Sequence, residues 1–131
     1  MRSRRGQGLV EFVLVAPMLL LLILGLVEFA RAWNIRHVIT DAARESARYM
    51  AVRYDTAGAN HAIATAFGTA GLDTARATIA FALVATPTGP ASGTEVTIEY
   101  PYNLGIVGRL LGWALPNRQL NINTAVTMRN E

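Results

Sequence analysis

The 131-residue chain has no cysteine, and all twelve of its basic residues are arginine, with no lysine. The missing cysteine excludes a disulfide scaffold, a thiol nucleophile and a lipidated cysteine anchor together, and leaves the compartment open. Nine acids hold the formal net charge to +3, so the sequence pI of about 10.0 does not mark a nucleic-acid binder. Most of the arginines sit near the N-terminus or alternate with acids along one helical stretch, and no basic-aromatic patch or nucleic-acid motif accompanies them. Catalytic signatures are missing too. His37 and His61 are isolated and lack ligand spacing, and there is no Cys-x-x-Cys, His-Glu-x-x-His, P-loop or Gly-x-Ser-x-Gly. Gly6-x-Gly8 precedes an apolar run instead of following a strand, which is the wrong setting for a dinucleotide loop. Asp41 and Glu45 share a helix face with arginines and read as a salt-bridged surface, not an acid/base pair. Neither an enzyme, a metal site nor a cofactor is expected.

What the chain does have is a charge-free run of sixteen residues, Phe12 to Val27. At about 1.5 Å per residue, Leu9 to Val27 spans close to the roughly 30 Å hydrocarbon core of a bilayer, and Trp33 stands where an interfacial aromatic would help. Glu11 lies at the edge of this run, and a carboxylate in a membrane helix costs up to about 2.5–3.5 kcal/mol, less near the interface, so it asks for a partner. Arg2, Arg4 and Arg5 precede the run, but Arg31, Arg36 and Arg44 follow it, and the flanking charge is nearly even. A short basic region before an apolar segment is nevertheless how a bacterial export signal begins, which places the N-terminus in the cytoplasm and the rest outside in a single pass. Three fates are open. The run is removed after Ala30-Arg31-Ala32, a small-x-small pattern before Trp33; it stays as a permanent anchor; or a cut between Gly6 and Gln7 leaves the whole helix on the mature chain. The third creates an α-amine on Gln7, one helical turn before Glu11 in the same chain or within reach from a stacked neighbour. Pro17, inside the run, lacks an amide hydrogen and crowds the carbonyl of Val13, which predicts a helix kink.

Beyond Glu28 the helical period continues. Ile35, Val38, Ile39, Ala42, Tyr49 and Met50 fall on one side, and His37, Asp41, Arg44, Glu45 and Arg48 on the other, extending one helix to about Tyr54. The stretch "YDTAGAN" breaks the pattern, and "HAIATAFGTAG" fits a short second helix ending at Gly71. From Ala75 the period is two. Ala77, Ile79, Phe81 and Leu83 share one face of a first strand, Val96, Ile98 and Tyr100 one face of a second, and Leu120, Ile122, Val126 and Met128 one face of a third. "PTGPASG" reads as a hairpin loop, and "LGIVGRLLGWALP" as either a short helix over the sheet or an exposed apolar contact element. The expected fold is α+β: a long N-terminal helix, membrane-spanning in its first half and amphipathic in its second, packed on a small antiparallel sheet of about three strands. The expected divisions are a leader at 1–6, a helix at 7–54 with its transmembrane segment at about 9–28, and a small extracytoplasmic α+β domain at 55–131.

The segment "GQGLVEF", with glycine before Gln7, glutamate fifth after it at Glu11, and aromatic Phe12 next, has the form of a Flp-type prepilin peptidase site. With "AP" inside the apolar run, a second "EF" at Glu28-Phe29, and "AARESAR" further on, residues 6 to 51 resemble the TadE-like family of the tight-adherence (Flp) pilus apparatus. The resemblance implies a minor pilin or pseudopilin held in the inner membrane and cleaved after Gly6, with Glu11 and Phe12 in subunit assembly. It implies as partners the prepilin peptidase, the major pilin, other pilin-like subunits and the pilus assembly platform. Read without it, the chain also fits a membrane-anchored or secreted binding domain that uses its sheet or the Leu104–Leu115 loop.

Overall fold

The computed structural model describes residues 4–86, 89–110, 112–113 and 119–130. Helix α1, Arg4–Arg53, is 50 residues of continuous helix, about 75 Å long, and runs through Pro17 without interruption. Its two halves live in different surroundings. From Gly6 to Ile23 every residue but Ala16 is exposed, whereas Ile39, Ala42, Ala43, Ser46, Ala47, Met50 and Ala51 are buried. Small residues on this second half let another backbone come close. The Ser46 hydroxyl lies 2.8 Å from the Ala42 carbonyl oxygen and 3.0 Å from that of Ala59 on the neighbouring helix, so the one polar group in the seam is satisfied.

That neighbour is α2, Thr56–Thr69. The chain reverses at Tyr54, whose φ of 52° is the left-handed conformation, and Asp55 then caps α2 by accepting a bond from the Gly58 amide at 2.9 Å. The break expected over "YDTAGAN" therefore shrinks to Tyr54 and Asp55. At the other end Gly71, with φ 68°, closes a Schellman motif in which Leu72 N–H reaches the Phe67 carbonyl at 2.8 Å. Leu72 packs back against the core, and a 3-10 turn, Thr74–Arg76, leads into the sheet.

The sheet has the order β1-β2-β3, all antiparallel, with β1 at Thr78–Thr86, β2 at Gly89–Asn103 and β3 at Gln119–Arg129. Its register aligns Phe81 with Val96 and Val126, and Ile98 with Ile79, on one face. Val96, Ile98, Tyr100 and Ile122 are buried there together with Ile39, Ile63 and Phe67, and the Phe67 ring meets Tyr100 edge-on at 5.8 Å. Both helices thus contribute to the cover, not α1 alone. Because α1 lies mainly over β2 and β3, edge strand β1 is thinly covered: Ile79 and Phe81 are half-buried, and Leu83, expected on the same face, is 58 % exposed. Tyr49, also expected on the buried side, sits on the flank of α1 beside Gly58 and is exposed. Asp41–Arg44 and Glu45–Arg48 pair at 3.2 and 3.7 Å on the solvated face, as the pattern predicts.

The expected hairpin loop is shorter than its turn residues suggest, since Gly89–Gly93 already belong to β2, and Pro87 and Thr88 lie outside the described residues. In the β2–β3 connection a one-turn helix, α3, occupies Ile106–Leu110, while Leu111 and residues 114–118 lie outside the described residues. The α+β arrangement of a long apolar helix on a three-stranded antiparallel sheet is therefore the observed fold.

Candidate assembly helix and its junction with the sheet

The first half of α1 is long and apolar enough to cross a membrane, and no part of that stretch is buried against the other described residues. Leu9, Phe12, Val13, Leu14, Met18 and Leu22 are each more than half exposed. Such a surface has to be covered by lipid or by other helices, because water does not tolerate a patch of this size on a free domain. The residues singled out near its start are placed as follows. Gly6 and Gln7 lie in the first turn, whose amides have no intrahelical carbonyl to bond, so opening the chain there breaks few hydrogen bonds. Glu11 is exposed, Phe12 is exposed at 68 %, and neither touches the folded domain. Pro17 lies in the midst of the exposed stretch.

The other glutamate of the apolar helix is handled in the opposite way. Glu28 is 3 % exposed. Its Oε1 accepts bonds from the Tyr102 hydroxyl at 2.5 Å and the Gly105 amide at 2.8 Å, and its Oε2 one from the Ile106 amide at 3.3 Å. A carboxylate buried at the exit of an apolar run thus finds three donors, all in the segment that leaves β2 and enters α3. The Tyr102 phenol is pushed up to about 12: burial disfavours its ionised form, and the Glu28 carboxylate both accepts its proton in a hydrogen bond and repels a phenolate. No cation-holding cluster of histidines and acids occurs among the described residues.

Sequence reading picked out Glu28 only as part of an "EF" pair and missed its role and that of Tyr102. The signal was present, because Glu28 closes the uncharged run at its far end as Glu11 opens it. The partners, 74 to 78 residues away, were not visible.

One face of α1 just beyond Glu28 is aromatic. Phe29 and Trp33 stack at 5.8 Å, and Trp33 meets His37 edge-on at 5.3 Å. Phe29, Ala32, Trp33 and Arg36 line an open groove against Leu120–Asn123 at the start of β3.

A single helix that is bare and apolar over one half and sheathed by a small α+β domain over the other is compatible with a single-pass membrane anchor that carries a small folded domain. Residues 6–48 match the family model described as TadE-like protein. The chain therefore carries a TadE-like segment over residues 6–48. The matched region takes in the bare half of α1, Glu28 and most of the packed half, and stops before α2 and the sheet. Neither a curated protein nor a solved structure matches the chain.

Proposed function

We propose that the protein is a minor pilin or pseudopilin needed to assemble a tight-adherence, Flp-type pilus. The observation that carries this reading is the coincidence of the TadE-like match with a helix whose apolar half has no partner in its own chain. In the membrane that half is solvated by lipid; in an assembly it is covered by the equivalent helices of the major pilin and other pilin-like subunits. The N-terminus is cytoplasmic, the domain from α2 onward lies outside, and a prepilin peptidase cleaves between Gly6 and Gln7. Cleavage turns the neutral Gln7 amide into an ammonium, and Glu11 pairs with it, in the same chain or in the next one at the assembly platform. Pro17, with no N–H to donate to Val13, kinks the helix as it passes from bilayer to filament.

Glu28 favours retention of the helix over removal after Ala32. A chain starting at Trp33 would lose the carboxylate and leave the Tyr102, Gly105 and Ile106 donors without their acceptor. The test is the intact mass of the protein from cells with an active prepilin peptidase. A chain beginning at Gln7 is expected; one beginning at Met1 or Trp33 overturns the reading.

A further inference from the structure

The β2–β3 connection lies at the end of the domain nearest the apolar span, and four contacts establish this. Thr94, early in β2, bonds Asn130 at 2.7 Å, and Asn130 bonds the Tyr54 hydroxyl at 2.7 Å, which fixes that end of the sheet at the C-terminus of α1. Tyr102, at the other end of β2, bonds Glu28. Leu120, at the start of β3, shares a groove with Phe29 and Trp33. The sheet therefore runs alongside α1 with its β2–β3 end toward the span, and the Gly105 and Ile106 amides hold α3 at the level of Glu28, where the charge-free run stops.

Beyond those amides the connection exposes apolar side chains that no described residue of the domain covers. Ile106 is 40 %, Leu110 50 % and Trp113 87 % exposed, with Arg109 exposed beside them. We propose that α3 and Trp113 form a second, interfacial membrane contact, lying in the headgroup region of the outer leaflet, with Glu28 as the positioning residue that sets its depth. The occupant is inferred from continuity. This proposal rests on the reading of residues 9–28 as the membrane span; if that helix crosses the bilayer, a patch bonded to its last turn meets the interface without any rearrangement. The residue types fit the place, since tryptophan favours the headgroup level, leucine and isoleucine reach the acyl boundary, and an arginine beside them meets lipid phosphate.

The chain has two tryptophans, so Trp33→Phe leaves Trp113 as the sole reporter. The full-length variant, reconstituted into phosphatidylethanolamine and phosphatidylglycerol vesicles, is expected to show blue-shifted emission, loss of that emission with lipids brominated near the headgroup, and protection from aqueous iodide. Adding Glu28→Gln, which weakens the hold on the Gly105 and Ile106 amides, is expected to reduce both quenching and protection; no change would overturn the positioning role of Glu28. A control carrying Trp33→Phe, Trp113→Phe and Leu14→Trp reports the span itself. If Leu14→Trp is quenched by deeply brominated lipid while Trp113 stays open to iodide and untouched by bromolipid, the interfacial contact is wrong and the span survives. If Trp113 is shielded from iodide without bromolipid quenching, and the shielding fades as lipid dilutes the protein, the patch binds a second copy and the proposal is overturned. If Leu14→Trp is not quenched, the span reading fails and takes the interfacial contact with it.

Discussion

Glu11 and Glu28 are the same side chain at opposite ends of one apolar helix, and their surroundings give them different work. Glu28 has its three donors within the chain, so its loss is felt in folding. Glu28→Ala is expected to cost about 1–3 kcal/mol in urea unfolding of the full chain in detergent micelles, and Tyr102→Phe about 1.5 kcal/mol or less. The phenol adds a pH signature. Its folded value lies above the ordinary value of 10.0, at about 12, so the stability it lends is fully present below pH 10 and is lost as pH rises toward 12. Unfolding midpoints followed through this window should fall more steeply for the wild type than for Tyr102→Phe, and equal slopes would remove Tyr102 as the cause. Glu11 has no partner within the folded domain, so Glu11→Gln should leave insertion, cleavage after Gly6 and domain stability intact while lowering pilus number and crosslinking to pilin partners. Normal piliation would leave Glu11 as a solvated edge residue.

At the scale of elements, burial decides which side chains carry the fold. Phe67 on α2 is fully buried against Tyr100, and Phe67→Ala is expected to cost about 3–5 kcal/mol. Phe81 on β1 reads as an equal core residue from the alternation of its strand, but it is only half-buried, which lowers the expected cost of Phe81→Ala to about 1–2 kcal/mol. Paired thermal or urea unfolding of the two variants checks the ranking. The start of α2 offers a second check. A Cβ at Gly58 would collide with the Asp55 carboxylate and come within 3.0 Å of the Tyr49 ring, so Gly58→Ala should lose about as much as the cap itself, roughly 1 kcal/mol, or more. These elements also show how far the sequence could be read. The three strands were legible because each alternates over a half-buried face, and α1 because its period runs from Ile35 to Met50. The first turn of α2 was not, since Asp, Thr and Gly have turn composition until one knows that Asp55 folds back onto the Gly58 amide. Nor was the exposure of Leu83, which depends on where α1 crosses the sheet, a non-local fact that no periodicity encodes.

For the whole molecule, the bare half of α1 and the sheathed half are one uninterrupted helix, and the TadE-like match spans both. Gly6→Leu is expected to block the cut before Gln7 and leave a heavier chain by intact mass, with the domain still folded, because Gly6 touches nothing in it. A processed Gly6→Leu chain starting at Gln7 would mean that the site does not select glycine. The candidate site was legible in part: the uncharged run and its opening acid are local features, whereas Glu28 takes its meaning from a sheet that closes onto it from the far end of the chain.

The unbroken passage of α1 from its bare apolar half into the core also makes it a mechanical link. A pull on the N-terminal half is carried by axial hydrogen bonds straight into the packing of α1 against α2 and the sheet, where it acts as shear. Apolar contacts resist sliding weakly, because burial is non-directional and one alanine can replace another along the seam. The directional bonds at Glu28, two of them short, resist it over a small displacement and then break. Under tension the junction is the brittle component and the alanine seam the ductile one, so a pull along the helix would yield first at Glu28, before the core is strained.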